Sequence, residues 1–157
     1  MKTQRVILAT LVFSLFLIYS CTPPRRLDYN YKTECLGVKL DGSQTLKAWG
    51  KGRNRTEAIE QAKKNAVRDV LFTGISSGKS DCNMRPVIFE VNAQQTHEEY
   101  FNKFFADGGP YQKFVFDDDH IRYHERKQVG AQKLYGLVVR VLRQDLVTEM
   151  KTAGLVK

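Results

Sequence analysis

The chain of 157 residues is poor in the residue types on which many catalytic and metal sites depend. It has three cysteines, three histidines and one tryptophan. Nucleophilic catalysis needs a base beside the nucleophile, and the chain has few histidines to choose from. The apolar run at residues 6–19 is too short for a stable membrane span. These shortages argue against a serine hydrolase and against a membrane span in that run.

The N-terminal segment has the pattern of a secretory signal. Lys2 and Arg5 precede the apolar run, which ends at a small residue, Ser20, followed by Cys21. Residues 18–21, Ile-Tyr-Ser-Cys, resemble a bacterial lipobox, in which the peptidase cuts before a cysteine that becomes diacylated. We therefore predict residues 1–20 to be a lipoprotein signal peptide and Cys21 to be the lipidation site. The alternative is an ordinary signal peptide with a cysteine nearby by chance.

Residues 21–31 have little periodicity and include Thr-Pro-Pro-Arg-Arg, which is typical of a tether. Residues 32–157 are then expected to form a single domain, because 137 mature residues suit one compact core. The tether is basic, whereas an acidic run after the lipidated cysteine directs some lipoproteins to the cell surface. We therefore expect a lipid-anchored protein of the cell envelope, on the periplasmic face of a membrane, with the outer membrane preferred.

The formal net charge is +8, and the signal contributes two of these charges, which leaves +6 on residues 21–157. In an exported protein this favours anionic lipid head groups, lipopolysaccharide, peptidoglycan or an acidic protein as partners over nucleic acid. A mildly basic, solvated surface is the alternative. Cys35 and Cys82 remain after lipidation of Cys21, and an even pair in an oxidising compartment predicts a disulfide. The alternative is two buried free thiols.

Periodicity and turn signals predict an α+β domain. Its mostly antiparallel sheet would have about four to five strands, with helices packed on one face, in the order ββα-βα-ββα. Asp41-Gly42 marks a hairpin, and Asn54 with Glu57 marks a capped helix start. The predicted strands are 33–40, 43–51, 86–92, 114–116 with 121–128, and 133–141, and the predicted helices are 54–73, 96–105 and 143–153.

Part of this pattern resembles a known family. Gly50-Lys51-Gly52 precedes a helix with Ala58, Ala62 and Ala66 four residues apart, and residues 135–141 form a late apolar strand. In these features the chain is similar to the LPP20-like lipoproteins and to the N-terminal domain of the flagellar assembly protein FlgT. The resemblance covers residues 43–75 and 132–145. It implies a small envelope domain that scaffolds or binds, without catalytic residues.

Several motifs invite a more specific function and do not meet its requirements. Residues 74–80 contain Gly-Ile-Ser-Ser-Gly-Lys-Ser, but a phosphate loop needs four residues between its glycines, so we expect no nucleotide. Asp117, Asp118, Asp119 and His120 with His124 lack the spacing of a metal site, and a solvated turn is expected instead of a metal or cofactor. The Asn54-Arg55-Thr56 sequon serves better as a helix cap.

Aromatic residues are dense between positions 100 and 116. We predict that part of this cluster packs in the core and that part of it binds a partner, with the candidate binding residues being Tyr100, Phe104, Tyr111 and Phe114. The leading hypothesis is a non-enzymatic lipoprotein that scaffolds or assembles another envelope component, with a membrane and an envelope protein as partners. The alternatives are a small-ligand or glycan-binding module and, more weakly, a cell-wall hydrolase using Glu90, Glu98 or Glu99 with an aspartate.

Overall fold

A computed structural model describes residues 31–118 and 124–156. They form the predicted α+β fold, built on a six-stranded sheet. Its strands are β1 (Glu34–Val38), β2 (Gln44–Gly52), β3 (Ser77–Gly78), β4 (Val115–Asp117), β5 (His124–Val129) and β6 (Gln132–Val141). The order is β3-β1-β2-β6-β4, and β5 shares the outer edge of β6 with β4. Every pairing is antiparallel except the short contact of β1 with β3.

The first two strands form the hairpin that Asp41-Gly42 predicts. Gly42 has a φ of +77°, a conformation that glycine adopts readily. The side chain of Asp41 accepts hydrogen bonds from the backbone amide and the hydroxyl of Ser43, at 3.0 and 2.6 Å. These local contacts hold the turn, and with it the pairing of β1 with β2.

Helix α1 (Arg55–Arg68) follows β2 and lies directly against it. The Asn54 side chain accepts a hydrogen bond from the Glu57 amide at 2.9 Å, which confirms the predicted cap. Ala58, Ala62 and Ala66 are fully buried on the side of the helix that faces the sheet. A Cβ atom built on Gly50 would lie 2.0 Å from the Ala58 carbonyl oxygen. The small residues on both elements therefore allow their backbones to touch.

The end of this helix widens into a π-helical turn, Asp69–Thr73, which Gly74 terminates. The remaining helical segments are α2 (Ala93–Thr96), α3 (Glu98–Phe104), a 3-10 turn (Pro110–Phe114) and α4 (Arg143–Thr152). They pack with α1 on one face of the sheet and enclose one hydrophobic core. Its largest fully buried side chains include Phe101, Phe104, Tyr111, Leu71, Leu146 and Met150.

One predicted strand is wrong. Residues 86–92 form an irregular loop, because the amides of Val87 and Ile88 donate to the carbonyls of Val70 and Leu71 in the π-helical turn, at 2.9 and 2.8 Å, instead of joining the sheet. Residues 121–123 of another predicted strand lie outside the described residues. None of the described helices is long and apolar enough to cross a membrane.

Candidate functional site

The cysteine prediction is confirmed. The Sγ atoms of Cys35 and Cys82 are bonded at 2.07 Å, and the bond ties β1 to the loop that follows β3. The backbone of that loop adds contacts to the same strand, since the Lys79 amide donates to the Cys35 carbonyl at 3.0 Å. Cys21, the predicted lipidation site, lies outside the described residues.

The predicted partner-binding aromatics are placed differently from what a binding surface requires. Phe104, Tyr111 and Phe114 are buried, packed on one another and on Phe105. Helical spacing alone could not reveal this, because the rings that pack on Phe104 come from Phe105 and from Phe114 of the following 3-10 turn. These three rings are therefore part of the core and not of the accessible surface.

Tyr100 is the half-buried member of the predicted set. Its hydroxyl lies 3.4 Å from the Glu149 carboxylate, and its ring packs edge-on against Phe101. Burial, and then the neighbouring carboxylate, raise the pKa of Tyr100 to about 12. This tyrosine therefore stays protonated at physiological pH and links α3 to α4.

Two of the large apolar side chains that are exposed among the described residues lie on loop 86–92, which we call the Phe89 loop. Phe89 is 72% exposed and Val91 is 81% exposed, whereas Val87 and Ile88 beside them are buried. The hydrogen bonds of Val87 and Ile88 to the π-helical turn fix the loop at its base. The loop therefore presents two large apolar side chains to solvent on an anchored backbone.

A second feature is a cleft of about 470 Å³, which we call the Asp69 cleft. It lies where the chain enters β1, beside β2 and the end of α1. Its wall combines aromatic, amide, hydroxyl and charged side chains, among them Tyr31, Thr33, Trp49, Asn65, Arg68 and Asp69. This volume is within the range of small-ligand pockets.

The carboxylate of Asp69 is the acidic group of this cleft. It accepts a hydrogen bond from the Thr33 hydroxyl at 2.5 Å and is also hydrogen-bonded by Thr73. Burial raises the pKa of Asp69 above its ordinary value of 3.8, while these hydrogen bonds and the Arg68 charge act in the opposite direction. Asp69 begins the π-helical turn, and such turns occur frequently at functional sites.

Basic and amide groups lie beside this acid. The guanidinium of Arg68 packs over the Phe105 ring at 5.0 Å, and its Nε atom is buried without a hydrogen-bond partner. The Asn65 amide donates to the Trp49 carbonyl at 2.8 Å and accepts from Gln61 at 2.8 Å. The cleft therefore holds both hydrogen-bond donors and acceptors.

The aromatic side of the cleft is part of a cation–π stack. The rings of Tyr31 and Trp49 lie 4.9 Å apart. Lys127 lies over both rings, 5.1 Å from Tyr31 and 5.5 Å from Trp49, and Lys47 lies 5.2 Å from Trp49. Packing of this kind stabilises the rings in one position.

The other sequence candidates do not assemble into a site in the described structure. Within residues 31–118 and 124–156, no group of three or more His, Cys, Asp or Glu side chains is placed to hold a metal. Asp119 and His120 lie outside the described residues. Glu99 forms an ion pair with Lys103 at 2.8 Å, which lowers the pKa of Glu99. Glu90 lies 3.9 Å from His97 on an exposed surface.

Neither the Phe89 loop nor the Asp69 cleft could be predicted from the sequence, for a physical reason. The Phe89 loop has the apolar content of a strand. Its backbone amides at Val87 and Ile88, however, donate to the π-helical turn and not to a neighbouring strand. The Asp69 cleft is assembled from three separate segments, and the one local signal was the polar Arg68-Asp69 pair near the end of an amphipathic helix. No protein-family model matches the chain, and no curated protein or solved structure is significantly similar to it.

Proposed function

We propose that the protein is a lipid-anchored envelope lipoprotein that binds another envelope component and has a scaffolding or assembly role without catalysis. The signal-like N-terminus and Cys21 support the proposed location in the cell envelope. The Cys35–Cys82 disulfide is consistent with it, because such bonds persist in oxidising compartments. The observation that carries the binding role is the exposure of Phe89 and Val91 on an anchored loop.

A partner that covers the exposed side chains of Phe89 and Val91 removes apolar surface from water, and this stabilises the complex. Full burial of such a side chain contributes about 1.5–3 kcal/mol relative to leaving it exposed. The loop is already fixed by the hydrogen bonds of Val87 and Ile88, so little ordering entropy opposes binding. The expected partner is a protein with an apolar recess, and an acidic rim would complement the positive net charge of this chain.

The test is site-specific photo-crosslinking of the full-length protein in cells. A photoreactive amino acid replaces Phe89 in one variant and Ala131, an exposed residue of the β5–β6 turn, in the control. The proposal predicts a reproducible envelope-protein adduct from position 89 and not from position 131, lost when Val91 is also changed to Ser. Equal yields at the two positions, or no adduct at position 89, would contradict a binding role for this loop.

A second candidate function is a small-ligand or glycan-binding module, which the Asp69 cleft favours. Cleavage of a glycan requires two carboxyl groups across the bond. Among the described residues that line this cleft, Asp69 alone carries a carboxylate. The cleft is therefore better suited to binding than to hydrolysis, and no observation favours the cell-wall hydrolase.

A further inference from the structure

We propose that the Asp69 cleft binds an uncharged, hydroxyl-bearing ligand of the size of one or two sugar rings. This proposal deepens the second candidate function and does not depend on the Phe89 loop, which consists of other residues. Three features of the cleft support it: its size, its balance of charge and a buried donor of Arg68 that lacks an acceptor.

The size of the cleft sets the scale of the ligand. Its volume of about 470 Å³ lies in the lower half of the range for pockets that enclose small organic molecules. The apolar residues Tyr31 and Ile75 line the cleft together with the hydroxyl-bearing residues Thr33 and Ser76. A sugar ring offers the matching combination, since it has C–H surfaces together with hydroxyl groups at its edge.

The charges of the cleft select against ionic ligands. An anion would meet the Asp69 carboxylate, and a cation would meet Arg68 and Lys32 in the same wall. Each kind of ion would therefore be repelled by one part of the site. A hydroxyl group can both donate to Asp69 and accept from Arg68, so a neutral ligand with several hydroxyls can bond to both charged groups.

Arg68, in the wall of the cleft, carries a donor that lacks an acceptor. Its Nε atom is buried without a hydrogen-bond partner, which is unfavourable for a charged donor. The Phe105 ring packs against the guanidinium from the core side. Because Nε has almost no accessible surface, the guanidinium has to turn toward the cleft before a ligand oxygen can accept a hydrogen bond from this atom.

The protein carries its own reporter for this site. Trp49 is the single tryptophan of the chain, it lines the cleft, and its carbonyl is bound by Asn65. Its fluorescence can therefore be followed in the purified full-length protein while three matched sugars are added. These are N-acetylglucosamine, which is neutral, glucosamine at a mildly acidic pH, which is a cation, and glucuronate, which is an anion.

Two variants and one control complete the experiment. Asp69→Asn removes the acceptor charge with little change of shape, and Arg68→Gln removes the buried donor. Asp107→Asn removes an equal charge from an exposed carboxylate that pairs with Lys64 outside the cleft. Far-UV circular dichroism of each variant verifies that it is folded before binding is measured.

The proposal predicts a saturable change in Trp49 emission with N-acetylglucosamine and weaker responses to both charged sugars. Affinity should fall about tenfold in Asp69→Asn and in Arg68→Gln, as expected for loss of a hydrogen bond to a charged group, and should be unchanged in Asp107→Asn. The absence of a saturable change with the neutral sugar would overturn the proposal. So would tighter binding of either charged sugar, or equal affinity in all three variants.

Discussion

Replacing Gly50 with alanine is the sharpest test of how the helix lies on the sheet. The added Cβ would lie 2.0 Å from the Ala58 carbonyl oxygen and 2.2 Å from the Ala62 amide nitrogen. Both neighbours are helix backbone, so no side-chain rotation relieves the clash. The helix must move outward by about 1 Å, and a gap of that size loses a quarter to a half of the dispersion energy of each contact it opens.

The expected loss in the free energy of unfolding is at least about 3 kcal/mol, the upper end of the usual penalty for overpacking. Gly130→Ala is the control, because its Cβ would meet nothing within 4 Å and only the φ of +63° opposes it, at about 1–2 kcal/mol. Urea denaturation of both variants, followed by far-UV circular dichroism, measures the difference. If Gly50→Ala loses no more stability than Gly130→Ala, the close backbone contact is refuted.

Three further predictions concern other parts of the fold. The double variant Cys35→Ala/Cys82→Ala should lose about 4 kcal/mol in urea denaturation, because the bond closes a loop across a separation of 47 residues; a loss under 1 kcal/mol, on the order of a single ordinary contact, would contradict this. Asn54→Ala should lose about 1 kcal/mol through the missing cap, and an unchanged thermal midpoint would speak against it. The raised pKa of Asp69 makes wild-type stability fall as the pH rises from 3.8 through that pKa. Asp69→Asn should therefore gain stability relative to wild type above this window and match it below, and a difference independent of pH in urea titrations would count against the assignment.

The parts of the fold that could be predicted from sequence depend on short-range chemistry. The turn at Asp41-Gly42 and the cap at Asn54 are decided by residues within a few positions of one another. The alanine row of α1 indicates a close approach to a flat surface, and β2 supplies that surface through Gly50. The bond between Cys35 and Cys82 was predicted from the even number of cysteines left after lipidation of Cys21 and from the expected oxidising compartment.

The parts that could not be predicted depend on contacts between distant segments. Whether Phe104 or Phe89 faces solvent is decided by which elements cover it, and the apolar content of each segment is similar. Phe104 is covered by the ring of Phe114 from the following 3-10 turn. The Phe89 loop turns outward because Val87 pairs with the π-helical turn. A helix widened at Asp69 leaves no periodic signal that would have revealed the cleft.

The proposed membrane anchor at Cys21 can be examined by mass spectrometry of the mature N-terminus. The full-length gene product is expressed in a bacterial host, recovered from membranes and digested with trypsin. We expect a peptide of residues 21–25 that begins at Cys21 and carries a diacylglyceryl group. A chain that begins at another residue, or an unmodified Cys21, would contradict it.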